Sequence, residues 1–323
     1  MSDSNPEFSI FYKKISLSAA QKKDMRNWRQ ALHNRIRQYF QNKLNLHPPT
    51  FFSCGRQATD STIASNYGEL LMEEAVVLQH LGRVSISKWP QPESMHKLIL
   101  NAIQGLTPDL PVDRKYSICV RYAGLYKIEI SVLAPGPDRT LLAINGPDGG
   151  WLPDFRKNLA DWFKIQVKCH GLQLHRIACY LNAWADFHPN QLQGFAWLLP
   201  LDILAAKYFR ADIGRDDKSL ARTAATIAGA APGDLQWPIS LAGDHTLPWP
   251  MSEMENQIFS NSLEVLVRRS RLASETKDKT RACAIWRSLL GEHFPMASAI
   301  NGKFDYRTNG LPLGMNHSYS QRC

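Results

Sequence analysis

The chain has 323 residues, a formal net charge of +9, and 44% hydrophobic against 21% charged residues. Its nine Trp, thirteen Phe and ten Tyr residues argue against a disordered chain, because disordered segments lack the large apolar groups that form a core. No stretch reaches the roughly 18 apolar residues of a membrane span, and the polar first residues lack the apolar core of a signal peptide. The six cysteines are scattered without a CxxC pair, which favours free thiols in a reducing compartment. We therefore expect a soluble, cytoplasmic protein without a membrane partner and long enough for about two domains.

The first predicted element is a long helix over residues 19–44. Apolar residues recur there at three- and four-residue steps, which is the spacing that forms one helical face. The other positions between residues 22 and 43 carry mostly Lys and Arg, with Asp24 as the acid among them. This cationic face is consistent with solvated surface charge and also with a contact surface for nucleic acid or a partner.

Short strands are predicted in the following segment of the chain. Residues 51–55 form a strand-like run that ends at a glycine, and residues 75–78 read as a buried strand. Residues 117–122 and 126–133 predict a hairpin. In its second strand Glu129 faces the side opposite to the apolar residues, because successive side chains alternate between the two faces.

The rest of the chain has helical periodicity from about residue 154. The predicted helices lie at residues 154–167, 173–186, 194–208, 216–230, 252–277 and 279–290. The order of elements predicts an α+β fold in which a mixed-sheet lobe, residues 1–160, packs on a C-terminal helical lobe, residues 161–300. Residues 301–323 are polar and glycine-bearing, so we expect a loose tail there.

Four short strings, in this order along the chain, resemble one protein family. Residues 88–96 are similar to a WP-x-P-x-x-x-H segment, and residues 119–130 to a C-V-R-x-x-Y … Y-H-I-D-L-P hairpin. Residues 175–184 are similar to a helix written R-x-x-x-Y-L-K-A-W, and residues 285–295 to a terminal W-x-x-x-F-G-x-x-F-P. Together they resemble the bacterial CD-NTases, which are relatives of cyclic GMP-AMP synthase and oligoadenylate synthase. The resemblance implies a polymerase-β-like nucleotidyltransferase lobe and a role in the anti-phage signalling systems called CBASS.

The chemistry of that family depends on a specific set of residues. The resemblance implies a Gly-Ser pair at the start of a helix whose backbone N–H groups hold the donor triphosphate. It also implies Asp-x-Asp on one strand and a third Asp on the next, which together hold two Mg²⁺ ions. The i, i+2 spacing is required because only alternate strand residues point to the same face.

The sequence departs from that pattern at each position. The Gly-Ser pair aligns with Gly55 and Arg56, the Asp-x-Asp with Leu71 and Glu73, and the third Asp with Glu129. A leucine has no oxygen donor for a hard cation such as Mg²⁺, and the longer Glu side chains displace the remaining oxygens. We therefore predict that the usual two-metal site is broken.

The alignment still names candidate site residues. The helix lysine that the family directs at nucleotide phosphates aligns with Asn182, so the nucleotide-binding candidates are Gly55, Arg56, Gln57 and Asn182. Glu73 and Glu129 are the candidates for catalysis and for a residual Mg²⁺ site, and the expected ligand is a nucleoside triphosphate or another nucleotide.

Three function classes stay open. The first is a non-catalytic CD-NTase-like regulator that binds a nucleotide or a protein partner encoded in the same defence operon. The second is an active nucleotidyltransferase that makes a cyclic or linear oligonucleotide at an altered site with Glu73 and Glu129. The third is a nucleic-acid-binding module that uses the basic helix at residues 22–43 and loses affinity steeply with salt. The missing Asp-x-Asp favours the first class over the second.

Overall fold

The computed structural model describes residues 2–65, 69–114, 117–122, 124–137, 141–144, 151–188, 200–230 and 252–297. Its helices are α1 Asn5–Ile15, α2 Ala19–Asn42, α3 Gly55–Ala58, α4 Pro92–Ile103, α5 Arg156–His170, α6 Leu172–Phe187, α7 Pro200–Lys207, α8 Asp216–Ala228, α9 Glu253–Glu275 and α10 Lys279–Leu290. Its strands are β1 Thr50–Ser53, β2 Leu70–Val77, β3 Val112–Asp113, β4 Ile118–Tyr122, β5 Tyr126–Pro135, β6 Leu141–Ile144 and β7 Trp151–Asp154.

The strands form one mixed sheet in the order β1-β2-β5-β4-β3, with β6 paired to β5 and β7 paired to β6. The central pair, β2 and β5, is parallel, and the other pairs are antiparallel. The predicted α+β architecture, a mixed sheet followed by helices, is confirmed.

Helices α2 and α4 cover one face of this sheet. The α2 side chains Met25, Leu32 and Ile36 share a buried cluster with Met72 of β2 and Ile128 of β5. Because neighbouring positions of a strand point to opposite faces, this contact directs Glu73 and Glu129 to the other face. The predicted long basic helix therefore exists and lies on the side of the sheet away from the candidate site.

A second core lies among the helices, and α1 belongs to it. Phe8 packs edge-to-face on Tyr180 of α6 and Trp286 of α10, with ring centroids 5.0 and 4.8 Å apart. Phe11 is also fully buried in this cluster. The sequence reading missed α1, although Phe8, Phe11, Tyr12 and Ile15 follow the i, i+3, i+4, i+7 spacing of an amphipathic helix.

The helix predictions agree with the structure within a few residues where it describes them. Only residues 200–207 of the helix predicted at 194–208 are described as helical, since residues 189–199 lie outside the described residues, as does the tail at 301–323. The division at residue 160 stays a prediction. Among the described helices, none combines the length and the apolar character that crossing a bilayer requires.

Candidate functional site

The two glutamates named from the sequence lie side by side on the sheet. In the parallel pairing of β2 with β5, Glu73 is opposite Glu129 and Leu71 is opposite Lys127. These four positions share one face, because they are two residues apart on each strand. The geometry brings the candidate carboxylates together and places a leucine and a lysine next to them.

Both oxygens of Glu129 are engaged by groups of the chain itself. Oε1 lies 2.9 Å from the Arg114 guanidinium and 3.3 Å from Nζ of Lys127. Oε2 accepts a hydrogen bond from the Ser117 hydroxyl at 2.6 Å. Lys127 is 3% exposed and Glu129 is 8% exposed, so the charges meet away from bulk water. The carboxylate is neutralised internally by two cationic side chains.

Lys127 is a site residue to which the sequence analysis gave no role. It lies two residues before Glu129 on the same strand, so strand alternation puts it on the same face, but alternation gives no reason to expect a buried cation there. Burial lowers the pKa of Lys127 from its ordinary value, and the neighbouring Glu129 carboxylate opposes that shift. A buried lysine is stable only when its charge is paired or its proton is released, and here a carboxylate pairs it.

Glu73 is held by the start of α3. Its Oε2 accepts a hydrogen bond from the Arg56 backbone N–H at 3.1 Å. Gly55 has a φ of +56°, and a Cβ on it would lie 1.8 Å from Oε2 of Glu73. Glycine is therefore required at position 55 both by the backbone conformation and by the close approach of the carboxylate. The N–H that the resemblance assigns to a nucleotide phosphate is used by a carboxylate of the protein.

Burial has the largest effect on the pKa of Glu73. It raises the pKa of this carboxyl to about 7, against the opposing effects of Arg56 and Arg156. Arg156 is held in turn by Asp154, with 2.6 Å between Nη2 of Arg156 and Oδ2 of Asp154, and it also donates to the Ser131 hydroxyl of β5. The site thus has one carboxyl that titrates near neutrality and one that is tied to Lys127 and Arg114.

A buried polar network connects α3 to the helical lobe. Asp202 of α7 accepts hydrogen bonds from the Thr59 hydroxyl and from the Asn182 amide, both at 2.8 Å. It also accepts from the Ser61 hydroxyl at 2.5 Å. Asn182 is 3% exposed, so it supports the segment around α3 through Asp202. Its assignment to a nucleotide phosphate stays a prediction, as do those of Gly55, Arg56 and Gln57.

The donor set of this face does not fit a pair of Mg²⁺ ions. Mg²⁺ takes oxygen ligands in near-octahedral geometry. Leu71 offers none, Glu129 is engaged by Lys127 and Arg114, and Glu73 is turned to the Arg56 N–H. In the part of the chain that the structure describes, no group of three His, Cys, Asp or Glu residues could hold a metal ion.

Several solved structures share this architecture, and one of them is DncV, a cyclic AMP-GMP synthase of Vibrio cholerae. The apo form of DncV from Vibrio cholerae matches with a TM-score of 0.70 and 14% identity over 91% of this chain and 96% of that one. The chain has the CD-NTase fold. CdnC of Escherichia coli MS115-1, solved with ATP, matches with a TM-score of 0.68 and 14% identity over 91% and 99% of the two chains. The resemblance drawn from the four sequence strings is thus confirmed for the fold.

Other matches carry ligands or partners of their own. A DncV structure with a nonhydrolyzable GTP matches with a TM-score of 0.69, 14% identity and 88% and 93% coverage. CdnC in complex with a HORMA protein matches with a TM-score of 0.68, 13% identity and 91% and 98% coverage. No protein-family model matches the sequence.

Proposed function

We propose that this chain is a non-catalytic CD-NTase-like protein that works in bacterial anti-phage nucleotide signalling by binding a nucleotide and a protein partner. One observation carries the proposal: the Lys127 ammonium lies 3.3 Å from Glu129 on the face where the family holds its metal ions. The buried Lys127 ammonium holds a positive charge next to the Glu129 carboxylate. It repels a divalent cation from the same oxygens, since like charges at a few ångströms in a low-dielectric site repel strongly.

The neighbouring residues Leu71 and Glu73 also disfavour the binding of a metal ion. Leu71, directly opposite Lys127, supplies no oxygen ligand. Glu73 satisfies the start of α3, whose N–H groups a donor phosphate would need. The carboxylates of this sheet face are therefore paired by groups of the chain itself and need neither a metal ion nor a triphosphate. We expect this of a fold that binds ligands without catalysis.

The matched proteins indicate which ligands to test. DncV is solved with GTP-type ligands and CdnC with ATP, and CdnC also forms a complex with a HORMA protein. We propose a nucleotide as the small ligand, contacting Arg56 and Gln57 on α3, and a protein of the same defence operon as the partner. We place this activity in the cytoplasm.

The active alternative is favoured by one feature, the direct register of Glu73 with Glu129. In that alternative the two glutamates hold a metal ion and the chain makes a cyclic or linear oligonucleotide. The decisive assay incubates the purified full chain with labelled nucleoside triphosphates and Mg²⁺ or Mn²⁺, with DncV as the positive control. We expect no product from this chain.

A designed variant makes the assay more informative. Leu71→Asp with Lys127→Gln adds an oxygen ligand and removes the internal cation, so we expect it to bind Mg²⁺ in calorimetry where the wild type does not. Leu71→Asn with Lys127 unchanged is the matched control and should bind no Mg²⁺. Product from the wild type that is abolished by Glu73→Gln, in a variant with an unchanged circular dichroism spectrum, would establish the active alternative.

A further inference from the structure

A cavity of about 200 Å³ lies between α2 and the segment around α3, on the side of the sheet away from Glu73 and Glu129. Its lining includes Lys22, Arg26 and Arg29 of α2, with Asp60 as the acid among the lining residues. A cavity needs roughly 10–15 Å³ of this volume to hold one water molecule, so the space admits a ligand of several atoms.

The three cations lie on one stripe of α2. Positions 22, 26 and 29 are four and three residues apart, which aligns their side chains on a helix. Lys22 is 3.5 Å from Asp60, and Arg29 donates to the Ser53 hydroxyl and lies 3.8 Å from Oε2 of Glu74. Arg26 forms no salt bridge with any described residue. The cavity thus keeps an excess of positive charge, which favours an anion.

Two buried polar atoms at the cavity point independently to a ligand. Oε1 of Gln57 and Oγ1 of Thr62 are buried and have no hydrogen-bond partner among the described residues. Both residues line the cavity. Buried polar atoms are almost always hydrogen-bonded in folded proteins, because a lost hydrogen bond to water is costly. A bound molecule that accepts from Thr62 and offers a hydroxyl or water proton to Gln57 would satisfy both.

We propose that this cavity binds the phosphate group of a small molecule, with Arg26, Lys22 and Thr62 as its donors. Guanidinium and hydroxyl groups are preferred phosphate ligands, since charge-assisted hydrogen bonds are stronger than neutral ones. Leu17 and Met25 form an apolar wall beside them, which accommodates the organic part of a phosphate monoester. The cavity is lined by α2 and contains neither Glu73 nor Glu129, although Gln57 belongs both to its lining and to the proposed nucleotide contacts. The proposal therefore holds whether or not the chain turns over nucleotides.

Calorimetry with the full chain tests the site, using pyrophosphate, inorganic phosphate, AMP and a short oligonucleotide as probes in parallel. We expect saturable binding of one molecule of pyrophosphate per chain. Tighter binding of AMP than of pyrophosphate identifies a phosphate monoester as the ligand, and the reverse identifies a free phosphate or pyrophosphate. Arg26→Gln should weaken the binding by about tenfold or more through the loss of a charge-assisted contact.

A charge-matched control separates a built site from general electrostatics. Lys23→Gln removes the same charge from an exposed residue of α2 that does not line the cavity, so affinity should stay within about twofold. Thr62→Val tests the hydroxyl without changing charge and should also weaken binding, with thermal unfolding of each apo variant measured as a folding check.

Three results would overturn the proposal. One is the absence of saturable heat with all of the probes. Another is an equal loss of affinity in Lys23→Gln and Arg26→Gln, which indicates diffuse attraction. The third is binding of an oligonucleotide alone that Thr62→Val leaves unchanged, which assigns the basic helix to nucleic acid. None of these results bears on turnover at Glu73 and Glu129, which the assay with labelled triphosphates measures, so this proposal and the non-catalytic assignment fail separately.

Discussion

Glu73 on the sheet is partly buried and Asp216 in the helical lobe is buried, and the partners of the two carboxylates differ. Asp216 accepts from both ends of the Arg176 guanidinium, at 2.6 and 2.9 Å, and from the Tyr180 hydroxyl at 2.9 Å. Among the described residues the Glu73 carboxylate accepts from one donor, the Arg56 N–H.

The pKa values of Asp216 and Glu73 differ because their hydrogen-bond partners differ. Burial raises the pKa of each acid, but at Asp216 the hydrogen bonds from Arg176, Gln173 and Tyr180 outweigh it and the pKa is lowered. At Glu73 burial prevails and the pKa is raised to about 7. Hydrogen bonds to the charged form decide whether a buried acid stays ionised. Asp216 therefore stabilises the helical lobe. Glu73 instead has a raised pKa, and shifted pKa values of this kind are common at functional sites.

The largest effect is expected from Asp216→Asn. This change removes the charge that pairs Arg176 and weakens the contact with Tyr180, so the free energy of unfolding should fall by about 3 kcal/mol or more. Urea unfolding at pH 7 measures it. A loss below about 1 kcal/mol would mean that Asp216 and Glu73 do not differ in the way their partners indicate.

Glu129→Gln should lower the free energy of unfolding by about 2 kcal/mol, because it removes the carboxylate next to the buried Lys127. Adding Lys127→Met should recover part of the loss, giving a coupling of about 1–3 kcal/mol in a double-mutant cycle. Additive effects of the two changes would contradict the internal ion pair on which the non-catalytic proposal depends.

Glu73→Gln should change how stability depends on pH. The folded-state pKa of Glu73 is raised, so the wild type is favoured at low pH and loses stability as the pH rises from about 4.5 to about 7. Glutamine does not titrate, so the variant should gain free energy of unfolding relative to the wild type across that window. The full shift corresponds to about 3 kcal/mol, and because Glu73 is partly exposed we expect a gain of about 1–2 kcal/mol. Unfolding series at pH 4.5, 6 and 8 measure this difference, with the exposed Glu264→Gln as the control. A constant difference at all three values would exclude the raised pKa.

The smallest effect is expected at an exposed pair. Asp161 and Lys164 of α5 lie 3.5 Å apart with about half of each side chain exposed. Asp161→Asn should change the free energy of unfolding by less than about 0.5 kcal/mol, since water screens such pairs. This variant sets the baseline against which the buried carboxylates are compared, and urea unfolding under the same conditions measures it.

Much of the fold could be predicted because its signals are local. The period of Met25, Leu32 and Ile36 predicts α2, and the alternation around Glu129 predicts the faces of β5. Helix α1 was missed because its short apolar pattern follows a polar start, and its burial against Trp286 depends on distant residues.

The candidate site was predicted in part for the same reason. Aligned strings named Leu71, Glu73 and Glu129, and the register confirms that the two glutamates are neighbours. Arg114, Ser117 and Arg156 were not named as site residues. They are ordinary residues in the sequence, and only the pairing of separate segments brings them to the carboxylates.

The sequence by itself determined the α+β class, the cationic character of α2 and the loss of the Asp-x-Asp pattern, since each depends on residue type and short spacing. The tertiary structure decided which groups face those positions. It set Lys127 beside Glu129, turned Glu73 to the Arg56 N–H, and placed the basic stripe of α2 against Gln57 and Thr62. Ion pairs, pKa shifts and cavities depend on distances between segments far apart in the chain, and those distances exist only after folding.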